Sequence, residues 1–156
     1  MNQKYEELID KFIQNYGQKI YSFIVYLIGG DQNKAYDICV NSFVEIFNSA
    51  NIRDERDLFI RLIRDAIEKC VNIKTIPSKE VLNTIDEVFR FEIKIFSIIF
   101  EALLKIDFKE RAFLILRYQL NLTYKEISKI LNVSSSQVRH ELINSLEKLD
   151  RIIKQM

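Results

Sequence analysis

Only three glycines and a single proline punctuate this 156-residue chain. Sheet corners and tight turns depend on those two residues, because glycine supplies positive φ and proline presets the turn angle. A turn-dense β sandwich or barrel, a collagen-like helix and a proline-rich extended chain are therefore excluded. At 48% apolar residues the chain can also build a core, which excludes wholesale disorder. An all-α protein remains, and this length makes one ordinary domain or two small ones.

Apolar spacing locates the helices. Tyr5, Leu8, Ile9, Phe12, Ile13 and Tyr16 recur at steps of three and four, the period of one helix face. Ile20, Phe23, Ile24, Leu27 and Ile28 follow after Gly17 as a second stripe, which Gly29-Gly30 stops. Asp31 is placed to N-cap the next helix, with Ala35, Ile38, Cys39, Phe43, Ile46 and Phe47 on its inner face. The polar run NSAN at 48–51 ends it. Asp54 or Asp57 starts a third helix, whose buried stripe is Leu58, Leu62, Ile63, Ala66, Ile67 and Cys70. These elements predict two small helical bundles. An N-terminal module spans residues 1–71, and a linker at 72–88 carries Pro77, which pushes its preceding residue out of helical geometry. A second module at 89–156 opens with Phe91, Ile95, Ile98, Ile99, Ala102 and Leu103.

The formal charge of +1 argues against a nucleic-acid binder, whose footprint is usually basic. That total conceals a division. Residues 1–92 hold 12 Lys/Arg and 15 Asp/Glu, a balance of −3, whereas residues 93–156 hold 11 and 7, a balance of +4. Two modules with different partners are implied.

Catalysis has little to build on. A nucleophile–His–carboxylate array would centre on His140, the one histidine, with no Ser or Cys at diagnostic spacing. No glycine-rich phosphate loop or His/Cys metal cluster occurs, so no catalytic site, metal or cofactor is expected. Cys39 and Cys70 sit in helical apolar patterns and read as buried reduced thiols. The polar start MNQKYEELIDKF lacks a signal-peptide core, and no apolar stretch is long enough to span a bilayer. A cytoplasmic protein without a membrane partner is expected.

The most informative stretch is Tyr124–Leu142, YKEISKILNVSSSQVRHEL. Ile127, Ile130 and Leu131 face inward from one helix, and Ser128 is small where two helices must cross. Asn132 tolerates a left-handed turn, Ser134 can cap a second helix, and Val138 and Leu142 face inward from it. This is the pattern of a helix-turn-helix, or of a plain helical hairpin. In a helix-turn-helix the outward residues Ser135, Ser136, Gln137, Arg139 and His140 meet the bases. Arg139 suits guanine or phosphate there, and Gln137 suits adenine.

The run LLKIDFKERAFLILRYQLNLTYKEISKILNVSSSQVRHELINSLEKL (103–149) resembles the promoter-reading C-terminal domain of bacterial RNA polymerase sigma factors, more narrowly the two-domain extracytoplasmic-function type. The match is carried by Leu104, Arg111, Phe113, Leu116, Arg117-Tyr118, Tyr124, Glu126-Ile127-Ser128, Ile130-Leu131, Val138 and Leu149. Upstream, AYDICVNSFVEIF (35–47) is similar to the family's polymerase-binding helix, and DLFIRLIRDAIEKC (57–70) to the helix that melts and reads the −10 element. The resemblance implies −35 contacts from Arg117, Tyr124, Lys125, Ser135, Ser136, Gln137, Arg139 and His140. It implies docking on the β′ clamp helices through Asp37, Val40, Asn41, Val44 and Glu45, and contact of the second module with the β flap. Arg53, Arg56, Arg61 and Arg64 would track the melted −10 strand. Asp54, Glu55, Asp57 and Asp65 interleave with those arginines, so a salt-bridged surface is an equal alternative there.

The family pattern also differs in places: Tyr36 and Val40 replace a Glu and a Gln, Phe59 replaces a Trp, and Glu141 stands where a basic residue is usual. The expected function is a sigma factor that binds core RNA polymerase and promoter DNA, its modest charge making DNA affinity depend on polymerase. An anti-sigma factor or a DNA-bound recruiting protein is a further candidate partner. The rival readings are a divergent sigma-like protein recruited by another factor, and a helix-turn-helix repressor that never touches polymerase.

Overall fold

The computed structural model describes residues 3–49, 52, 54–73 and 98–156, and all regular structure among them is helical. Most of the expected linker, with Arg53, Phe91 and Ile95, lies outside the described residues.

Helix α1 (Gln3–Ile28) runs unbroken through Gly17. The expected restart after that glycine does not occur. One glycine costs a helix about 1 kcal/mol, and the fully buried Phe12, Ile20, Phe23 and Ile24 on both sides of it offset that easily. Leu8 and Ile13, placed on the inner face by spacing, are instead exposed. Neighbouring helices cover a narrower stripe at this end, centred on Phe12. Gly29 and Gly30 then turn the chain with φ of 87° and 98°, values that only glycine adopts without strain.

Helix α2 (Gln32–Asn48) starts at Asp31, whose carboxylate accepts from the Lys34 N–H at 3.1 Å. It ends at Ser49, whose hydroxyl donates to the Ile46 carbonyl at 2.6 Å. Helix α3 (Glu55–Cys70) is capped by Asp54 rather than Asp57: the Asp54 carboxylate accepts from the Asp57 N–H at 2.8 Å. An aromatic cluster ties the three helices together. Phe12 meets Phe43 and Phe47 edge-on with ring centres 5.9 and 6.2 Å apart, and Tyr16 lies 5.0 Å from Phe59.

The second module contains α4 (98–105), α5 (Phe108–Tyr118), α6 (Tyr124–Leu131) and α7 (Ser135–Gln155). Phe100, Ala102 and Ile106 are buried, whereas Ile98 and Ile99 are exposed. Asp107 and Glu110 open α5 with a reciprocal capping box. Every residue from Arg111 to Leu116 is buried. A helix buried all round needs neighbours on every side, and α5 has them: α6 and α7 from its own module, α1 from the other.

The modules therefore pack together, and one apolar core runs through both. Arg111 crosses the seam. Its Nη1 donates to the Leu27 carbonyl at 2.8 Å and its Nη2 to the Ile106 carbonyl at 3.3 Å, while its Nε finds no partner. Burial pulls the Arg111 guanidinium below its ordinary pKa, and the nearby Asp107 carboxylate opposes that pull. The Leu27 carbonyl lies in the last turn of α1, where a cation is favourable and α1 supplies none itself.

Both cysteines are free and buried, as expected. Burial pushes the Cys39 thiol up to about 11 and the Cys70 thiol up to about 12. Neither forms thiolate at neutral pH, so both behave as core residues. Among the described residues no helix is long and apolar enough to cross a membrane.

Candidate nucleic-acid interface

The turn between α6 and α7 is built by local hydrogen bonds. Thr123 caps α6: its Oγ1 accepts from the Glu126 N–H at 3.1 Å, and its own N–H donates to Glu126 Oε1 at 3.1 Å. Ile127 and Ile130 point into the core. Asn132 closes the helix at φ 55° and ψ 49°, and the Val133 N–H donates to the Ser128 carbonyl at 3.1 Å. Asparagine is among the few non-glycine residues that take this left-handed conformation at low cost. Ser134 then caps α7 by accepting from the Gln137 N–H at 3.1 Å. Val138, Leu142 and Ser145 turn inward from α7.

That geometry leaves Ser135, Ser136, Gln137, Arg139 and His140 exposed together on the first two turns of α7. His140 Nε2 lies 3.1 Å from Asn144 Nδ2, which steadies the imidazole across one helical turn. The arrangement is that of a recognition helix, whose N-terminal residues enter a major groove. Residues 97–151 match the family model described as Sigma-70, region 4. This segment is a sigma-70 region 4 domain. No curated protein matched the chain. A region 4 domain of helix-turn-helix type gives the protein a sigma factor-like DNA-binding function in transcription.

Other residues anticipated at the region 4 surface have structural work. Arg117 Nη1 donates to the Leu122 carbonyl at 2.8 Å, and its guanidinium lies 5.1 Å from the centre of the Tyr124 ring. The pair holds the turn from α5 into α6, which aims the recognition helix. Lys125 stands exposed beside them.

The arginines of α3 are engaged within the chain. Arg61 pairs with Asp57 at 3.1 Å. Arg56 pairs with Glu126 of region 4, and Arg64 Nη2 donates to the Lys129 carbonyl at 2.6 Å. Of the interleaved acids read from the sequence, Asp57 pairs with Arg61, whereas Arg56 and Arg64 reach across to α6 instead. Burial alone would raise the Glu126 carboxyl. The Thr123 N–H and the Arg56 guanidinium outweigh burial and hold it below the ordinary carboxylate value.

On α2, Asp37, Val40, Asn41 and Val44 are exposed and share one face at spacings of three, four and seven. Tyr36 beside them is 63% exposed and Val44 is 54% exposed. Glu45 is held by Lys69 of α3 at 2.8 Å, and Lys69 also reaches Asp65 at 2.5 Å. Burial pulls the Lys69 ammonium down, but the two carboxylates push it above its ordinary value. Among the described residues no group of His, Cys, Asp or Glu could hold a metal ion.

Two residues that shape this region were not anticipated at any site, Glu126 and Arg111. The pattern Thr123-x-x-Glu126 before an apolar run does announce a capping box. It does not announce the second use of that carboxylate by Arg56, 70 positions away.

Proposed function

We propose that the chain is a sigma factor of the extracytoplasmic-function type that binds core RNA polymerase in the cytoplasm and directs promoter-specific initiation. The observation that carries this reading is the exposed Ser135–His140 face on a correctly capped helix-turn-helix, inside the region 4 match. Arg139 and Gln137 read base edges of the −35 element there, and Lys125 and the serines hold phosphates. Helix α2 docks on the β′ clamp helices through Asp37, Val40, Asn41 and Val44. An apolar face left in water suits a partner surface better than a solvated helix. Glu45, tied to Lys69, shapes the edge of that face. The second module contacts the β flap, and α3 meets the −10 strand through Arg56, Arg61 and Arg64. The protein acts by positioning polymerase and performs no chemistry.

One feature favours a recruited variant of the same function. Arg56 and Arg64 are already occupied within the chain, so promoter melting needs help from polymerase or from another DNA-bound factor. Two experiments separate the readings. Co-purification with bacterial core polymerase is expected for either sigma reading and fails for a repressor. Transcription from a defined promoter with purified chain and core alone sinks the recruited version, whereas a requirement for a third protein supports it.

A further inference from the structure

On α3, Arg56, Ile60 and Arg64 follow one another at spacings of four, a single stripe outside the fully buried positions of that helix. On α6, Glu126 and Lys129 lie three apart and face that stripe. Arg56 reaches Glu126 Oε2 through both Nε and Nη2. Arg64 donates to a carbonyl in the last turn of α6, where the helix dipole is negative. Both cations of this stripe, Arg56 and Arg64, are thus filled by acceptors of the helix-turn-helix, whereas Arg61 pairs with Asp57 of its own helix. A carboxylate and a helix C-terminus are also what a nucleic-acid phosphate would displace.

We propose that region 4 occupies the strand-binding stripe of the N-terminal module, with Glu126 in the place of a strand phosphate, so that module docking and single-strand binding compete. The proposal rests on the reading of α3 as a strand-facing helix. The polar contacts of the seam are weak, although the apolar core continues across it. Arg111 is buried within it with Nε unpaired, and burying a cation offsets much of what its other hydrogen bonds contribute. Arg56 is half exposed, so its ion pair is weak and exchangeable. The recognition face of α7 stays exposed in the docked arrangement. Docking therefore closes the −10 surface and leaves the −35 surface free.

Glu126→Gln tests this in the full chain. Glutamine serves the capping box as glutamate does, so α6 is retained while the charge that holds Arg56 is lost. Binding of a fluorescent single-stranded oligonucleotide, followed by anisotropy, should tighten about two- to fivefold. Adding Arg56→Ala to that variant should abolish the gain. Glu147→Gln removes one exposed charge away from the seam and should leave affinity unchanged. An equal gain in Glu147→Gln overturns the proposal, because the effect would then be net charge alone. If Arg56→Ala and Arg64→Ala weaken binding but Glu126→Gln changes nothing, α3 binds the strand without competition, and only the proposal fails. Should all three variants bind like the parent chain, the strand-facing role of α3 falls and takes the proposal with it.

Discussion

Arg139 projects from the second turn of α7, where a guanidinium can take both acceptors of a guanine edge. Replacing it with Ala is expected to weaken −35 binding by ~1–3 kcal/mol and to relax base preference at one position. Footprint titration on wild-type and substituted promoters checks this, and an unchanged footprint removes the assignment. Arg117 behaves differently although it lies in the same domain, because its guanidinium is committed to the Leu122 carbonyl and the Tyr124 ring. The distinction between these two arginines was not legible in the sequence. Both are cations in a basic module, and only the path of the chain from α5 to α6 shows which one faces inward.

Local signals at the scale of elements were readable. Asp31 and Ser134 each cap the helix that their position in the sequence predicts, Asp54 is the one of two candidates that caps α3, and Asn132 takes the left-handed turn expected of it. Such signals involve only neighbours within about four residues, so the sequence states them directly. Asn132→Val is expected to destabilise the second module by ~1–2 kcal/mol, since a β-branched residue resists positive φ. Asn132→Gly should be tolerated, and denaturant unfolding of both variants makes the comparison. Gly17 is the opposite case, a helix interior read as a break. A Cβ there would meet Ile13 Cγ2 at an ordinary 3.5 Å. Gly17→Ala should therefore stabilise the chain by ~0.5–1 kcal/mol in the same assay. A loss of stability would show that α1 needs flexibility at this point.

Across the whole molecule, charge and topology combine. The acidic first part and the basic second part meet at the seam through contacts of the opposite sense: cations of α3 meet a carboxylate and a carbonyl of α6. No periodicity predicts contacts 65 or 70 residues apart, so the packing of the two modules had to come from the fold. Glu126 gives this seam a pH dependence. Its folded pKa lies below the ordinary carboxylate value, so its contribution to stability is present above that ordinary value. The contribution is lost as pH falls through the folded value. Unfolding curves of wild type and Glu126→Gln should thus differ at neutral pH by a constant amount and converge in acid. A gap that persists unchanged in acid would show that the effect does not come from the Glu126 charge.

In the proposed function the exposed recognition helix and the exposed α2 face serve one polymerase. Footprinting of the purified chain with bacterial core polymerase on promoter DNA tests both at once. A complex that retains core and protects a −35 element, with protection lost in Arg139→Ala and core retention lost when Val40 and Val44 become Asp, is the predicted result. DNA protection by the chain with no retention of core would contradict the account and leave a helix-turn-helix repressor.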